Sequence, residues 1–331
     1  MLARSSKLRH PSGVTITTPI LVPSFSSKGF SFNEDRTSEI TAIIKTASEW
    51  LTETALVSAH DCHYKYVPLD FYSAVELCFV DSGGYEKNND YDLSTVYASG
   101  GSDFMWNEDL LINVYDSLPS DSSFVLVSYD LMGQPITKQI ESARELLAKY
   151  RTNLCTILVK REKPSQRYID IQSVLRHTNA LGDFDIVGLT EKELGKSILD
   201  RMYNIARVRE ELDRDGIKAP IHIFGSLDPV TTILYFLSGA EIFDGLTWLR
   251  YSYYDGVATY PHNYGAIKMG IHQQDDTVRA KSFIDNIHYL QDLTFQMRNY
   301  LLDSDFSKFK YHSDFFKESY NSLCSKLGGL R

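Results

Sequence analysis

Three aspartates stand where apolar, β-rich runs give out: Asp81 in "FVDSGGYE", Asp130 at the end of "SFVLVSYD", and Asp244 in "IFDGL". A carboxylate at the end of a buried strand can act as a nucleophile, or pass a proton to and from a bound ligand. After Asp81, Ser82, Gly83 and Gly84 let the backbone bend sharply or come close to a ligand. A simpler role for Asp81 is to cap that turn by accepting from its amides. Three carboxylates at strand ends are more than packing needs, which favours a site. "HDCH" (60–63) puts four potential metal ligands in a row. On an extended strand end His60 and Cys62 would face away from Asp61 and His63, so no metal site is expected there.

Strand–helix alternation must position these groups. The β-rich runs are "ALVSAH" (55–60), "LCFVDS" (77–82), "SFVLVSYD" (123–130), "CTILVKR" (155–161), "FDIVGL" (184–189), "IHIFGS" (221–226) and "IFDGL" (242–246). Amphipathic helices lie between several of them. "PITKQIESARELLAKYR" sets Ile140, Ala143, Leu146, Leu147 and Tyr150 on one stripe, and "SILDRMYNIARVREELDRDG" does so with Ile198, Met202, Ile205 and Leu212 before Gly216 stops it. "DPVTTILYFLSGAE" opens with Asp228 as N-cap and Pro229 at the first helical position. Seven or eight such units predict an α/β, TIM-like (β/α)8 barrel forming one domain over 1–331, with an N-terminal β segment at about 1–30 and a helical region at about 280–331. A doubly wound open sheet is the alternative, but no GxGxxG follows the first strand. In a barrel, chemistry collects at the C-terminal strand ends, here His60, Asp81, Asp130, Lys160, Gly188, Gly225 and Asp244.

The chain has 331 residues, 43% hydrophobic and 23% charged, with a net charge of −9 and a mean hydropathy of −0.24. That is enough for a large core, and no apolar run approaches a membrane span. No apolar signal core follows "MLARSSKLRH", and Cys62, Cys78, Cys155 and Cys324 are scattered without CxxC spacing. Both features point to a reduced, cytoplasmic setting. The acidic balance excludes a protein that coats nucleic acid by bulk attraction. Local basic groups remain: Lys160, Arg161 and Lys163 with Arg167 beyond one strand end, and Arg250 beside the tyrosines of "RYSYYDG". The first cluster suits phosphate contact and the second suits stacking with unpaired bases.

Taken together, the motifs resemble the tRNA-guanine transglycosylase family, nearly end to end. "ITTPILVPSFSSKG" is similar to that family's opening segment, "DSGGYE" to its DSGG-aromatic-Gln motif, "HIFGSLDP" to its MG turn, "GAEIFDGLTWLR" to its FD…TR motif, and "DNIHYLQDLTFQMRNYL" to its terminal helix. The chain departs from the family in the stretch after the FD motif. There "RYSYYDGVATYPHNYGAIKMGIHQQDDTVRAKSF" has no cysteine, and His262 with His272 cannot hold zinc. Glu86 stands where the family has glutamine, and Lys160 where it has a base-reading glutamine. The variant is similar to relatives that insert a 7-deazaguanine into DNA.

The resemblance implies a base-exchange transferase that replaces guanine in a polynucleotide with a 7-deazaguanine such as preQ0, without cofactor or metal. It implies Asp244 as nucleophile toward the sugar and Asp81 as acid/base. Asp130 would read the purine edge, Gly188 and Leu189 would make backbone contacts, and Tyr85 would stack. Phe224 with Gly225 would cover the opposite face, and Glu193 would sit near the 7-substituent. Arg250 would lie near the bound strand. DNA is favoured over tRNA as partner, with a second protein or a homodimer to help open it. The alternatives are a tRNA-guanine transglycosylase, a non-catalytic nucleic-acid-binding or partner subunit of the same fold, and an enzyme acting on free nucleosides.

Overall fold

In a computed structural model, residues 2–33, 37–87 and 105–328 are described. A short antiparallel hairpin, β1 (Lys7–Arg9) with β2 (Thr15–Thr17), precedes eight strands: β3 (Ile20–Phe25), β4 (Thr54–Ser58), β5 (Leu77–Asp81), β6 (Phe124–Val127), β7 (Leu154–Val159), β8 (Ile186–Thr190), β9 (Ile221–Phe224) and β10 (Ile242–Gly245). The eight are parallel neighbours in chain order, and β10 pairs with β3 to close an α/β barrel of the expected TIM-like kind. Helices between the strands supply its outer layer.

Strand alternation divides the core in two. Leu77 and Phe79 of β5, Leu154 and Leu158 of β7, and Ile242 of β10 pack inside the barrel, while Val80, Ile157 and Phe243 pack outward against the helices. Continuing the two-residue period carries Asp81, Lys160 and Asp244 to the interior at its C-terminal end. The β1–β2 hairpin adds Leu8 and Ile16 to the inner cluster.

Several expectations are corrected. Ile20–Phe25, inside the expected N-terminal β segment but not among the seven runs, is itself a barrel strand, buried at all six positions. Pro23 hides it in the sequence, because proline is rare in a central strand. β4 ends at Ser58, and Ala59–His63 is a helical turn, so His60 is no strand end and the "HDCH" side chains do not alternate. Asp61 instead accepts from the amide and hydroxyl of Ser27, both at 2.6 Å. Gly188 lies mid-strand, and Asp130 stands three residues beyond the end of β6. Ile198, expected on a buried stripe, opens its helix after the Ser197 cap and is 42% exposed. The Asp228 cap with Pro229 at the first turn is present as read.

After β10 the chain forms a hairpin, β11 (Ser252–Tyr254) with β12 (Val257–Thr259), then the helices Pro261–Met269, Asp275–Asp303 and Ser313–Gly328. Asn286, on the long helix and 1% exposed, ties the hairpin down. Its Oδ1 accepts from the Tyr253 amide and its Nδ2 donates to the carbonyls of Trp248 and Tyr251, each at 2.7 Å. Asn286→Ala leaves three backbone groups without a partner, at about 1–3 kcal/mol for each that stays buried. Thermal unfolding should show Tm lowered by roughly 6 °C or more; an unchanged Tm would remove this residue from the account. No helix among the described residues is long and apolar enough to cross a membrane.

Candidate functional site

The glycines of "DSGG" answer two different packing demands. Gly83 has φ +78°, and a Cβ there would fall 2.6 Å from the Trp106 indole nitrogen, whose N–H donates to the Ser82 carbonyl at 2.8 Å. At Gly84 a Cβ would fall 2.3 Å from Asp130 Oδ2. The second glycine therefore lets the turn lie against a carboxylate that is 46 residues away in sequence. Within the turn the Gly84 amide donates to Ser82 Oγ at 3.3 Å. Among the described residues Asp81 accepts from no amide of the turn, and its Oδ1 is enclosed without a hydrogen-bond partner.

Asp81, Asp130 and Asp244 line one cavity of about 250 Å³ at the C-terminal end of the barrel, with Tyr85, Lys160, Glu193, Phe224, Gly225 and Arg250. The volume lies just under the roughly 300 Å³ lower end of ordinary small-molecule pockets, so it suits a compact group. Asp130 Oδ1 accepts from the Ser82 hydroxyl at 2.7 Å, and its Oδ2 pairs with Lys160 Nζ at 2.9 Å. Lys160 also donates to Thr190 Oγ1 at 3.1 Å. Burial works against the Lys160 ammonium, but Asp130, Glu193 and Asp81 outweigh it and hold its pKa above the ordinary lysine value.

Asp81 has the opposite fate. Burial first, then the charges of Asp130 and Glu86, push its pKa well above the usual aspartate range; Asp244 adds to this and Lys160 opposes it. Burial likewise raises Glu193, eased by Lys160 and Arg161, and its Oε2 is enclosed without a partner among the described residues. Glu86, at the same cavity, accepts from the hydroxyls of Ser26 and Ser58. Burial and the charge of Asp61 raise its pKa.

Asp244 is held from three sides. Ser24 Oγ donates to Oδ2 at 2.7 Å, His222 Nε2 to Oδ1 at 3.0 Å, and the Gly225 amide to Oδ1 at 3.3 Å. Gly225 has φ +79°, so the turn after β9 brings its N–H to the carboxylate in a backbone geometry that favours glycine.

The other expected residues divide by distance from this centre. Gly188 gives room: a Cβ there would meet Phe224 at 2.7 Å. Leu189 points into the outer layer, which leaves it a main-chain role only. Tyr85 lies under Lys28, whose Nζ is 4.2 Å from the ring centroid, and its hydroxyl accepts from Arg250 at 3.3 Å. Arg161 stands behind the cavity-lining Met132, donating to its Sδ at 2.9 Å. Lys163 and Arg167 are exposed on the loop beyond and do not line the cavity.

Sequence reasoning missed Ser24, His222 and Lys28. The signal for the first two was parity: Ser24 follows the inward Ile20 and Val22 by the two-residue period, and His222 precedes the inward Phe224 by it. Among the described residues no three His, Cys, Asp or Glu side chains are grouped as a metal ion would need. Compared with known proteins, the chain matches no family model and no curated protein sequence.

Proposed function

We propose that this protein is a base-exchange transglycosylase that replaces guanine in a polynucleotide with a 7-deazaguanine. The observation that carries the reading is that two of the carboxylates lining one small cavity have contrasting surroundings. Asp244 is fixed by three donors, whereas Asp81 is half-buried, without a hydrogen-bond partner at Oδ1 among the described residues, and raised in pKa. Breaking an N-glycosidic bond with retention needs such a division: a carboxylate to trap the oxocarbenium-like sugar and a carboxylic acid to protonate the leaving base. Asp130 with Lys160 presents acceptor and donor side by side, as the N–H and carbonyl edge of guanine requires. The resemblance of the motifs to tRNA-guanine transglycosylases supports the same roles.

A non-catalytic subunit of this fold is the weaker reading. A carboxyl oxygen that is enclosed and unpartnered costs stability, and Oδ1 of the half-buried Asp81 has no hydrogen-bond partner among the described residues to offset that cost. Polymer rather than free nucleoside is favoured by Lys28 and Arg250 flanking Tyr85 beside an acidic interior, which suits phosphate outside and base within. The net charge of −9 and the cysteine-free stretch after β10 favour DNA that is already open, with a partner protein or a second copy to open it. Labelled guanine offered with single-stranded DNA, duplex DNA and tRNA tests this. Incorporation should be highest in single-stranded DNA and absent from tRNA; incorporation into tRNA alone would reverse the substrate assignment.

A further inference from the structure

His222 is wholly buried on β9, and its Nδ1 has no hydrogen-bond partner among the described residues. A phenylalanine or leucine would fill that place without leaving a polar atom unsatisfied. The ring is clamped: Phe224 stacks on it at 3.8 Å between centroids and 28° between planes, and Phe79 meets it edge-on at 5.6 Å. Phe224 reaches this position because Gly188 has no side chain to obstruct it. The clamp aims Nε2 at Asp244 Oδ1, 3.0 Å away. Nε2 faces a carboxylate and Nδ1 faces no acceptor, so the proton belongs on Nε2 and the imidazole donates.

The two oxygens of Asp244 are thereby made unequal. Among the described residues Oδ1 receives two N–H donors in fixed positions, from His222 and Gly225, whereas Oδ2 receives only the rotatable hydroxyl of Ser24. We infer that His222 is a positioning residue that assigns attack to Oδ2 and speeds the return of Asp244 from its covalent adduct. This rests on the exchange reaction proposed above.

In the first half, Oδ2 bonds to C1′ as the C1′–N9 bond breaks. The electron pair leaves with guanine, which takes a proton from Asp81. In the second half, the incoming base gives its N9 proton to Asp81 and bonds to C1′. As that bond forms the C1′–Oδ2 bond breaks, and its electron pair restores the carboxylate. Negative charge on Asp244 vanishes in the first half and reappears in the second. Donors fixed on Oδ1 stabilise that charge, so they chiefly accelerate the second half.

Single-turnover kinetics on the full chain separate the halves. The first is followed as covalent adduct formed with single-stranded DNA, and the second as adduct lost when guanine is added. His222→Phe should form adduct within roughly tenfold of the wild-type rate but resolve it about 10²-fold more slowly, so that adduct accumulates. His222→Gln, which restores an N–H donor, should recover most of the resolution rate. Equal slowing of both halves, or wild-type resolution by His222→Phe, would overturn the inference. Should His222→Phe not fold, His222→Leu, which equally lacks the donor, is read in its place: a lowered resolution-to-formation ratio upholds the inference and an unchanged one overturns it. A wild-type protein that neither releases guanine nor forms adduct removes the exchange reading itself, and this inference with it.

Discussion

Asp244→Asn should reduce guanine exchange by at least ~10⁴-fold, the order expected when a covalent nucleophile is lost, while the protein keeps its fold. The amide has the shape of the carboxylate and can still accept from Ser24 or Gly225, so the surrounding contacts survive in part. Free guanine should still bind, because Asp130, Lys160 and Tyr85 are untouched. Labelled-base incorporation, calorimetric titration with guanine and thermal unfolding check the three parts. Exchange at the wild-type rate would remove Asp244 from the role of nucleophile.

Asp81→Asn should slow exchange by roughly 10²–10⁴-fold, the range for loss of a positioned acid/base, and should also make the protein more stable at neutral pH. Burial, with the nearby charges of Asp130, Glu86 and Asp244, raises the folded-state pKa of Asp81 above its unfolded value, against the opposing pull of Lys160. The folded state therefore binds this proton more tightly than the unfolded one. Stability on this account is fully present below the unfolded pKa and is lost as pH rises through the folded pKa. Asparagine carries no such dependence. The Tm of the variant minus that of the wild type should thus be positive at pH 8 and shrink toward zero near pH 4. A variant less stable than wild type at pH 8 would mean that Asp81 is structural. Loss of activity with gain of stability is the pattern expected of a functional carboxyl.

Much of the fold could be read from the sequence, because strand–helix alternation and helix caps are local. Asp228 with Pro229, and Gly216 after its helix, lie where local chemistry put them. The misreadings came where neighbours far along the chain decide. Pro23 is tolerated in a central strand whose six residues are all buried, and Ser27 holds Asp61 on a helical turn that the apolar run "ALVSAH" had suggested was strand. The aspartates of the site were legible because each lies at or near the end of a β-rich run. His222 was not, because a histidine inside "IHIF" reads as ordinary core until Asp244, 22 residues on, is seen 3.0 Å from its ring. The reason for Gly84 was equally hidden, since only folding brings it against Asp130.

The central claim is that Asp244 exchanges bases through a covalent sugar adduct. The most direct test is to incubate the protein with single-stranded DNA and no free base, quench, and measure both released guanine and protein-linked nucleic acid. Equal amounts of the two are expected, up to one per active chain, with the linkage on the peptide containing Asp244 and reversed by adding guanine. Guanine released without any adduct, or an adduct mapping elsewhere, would contradict it.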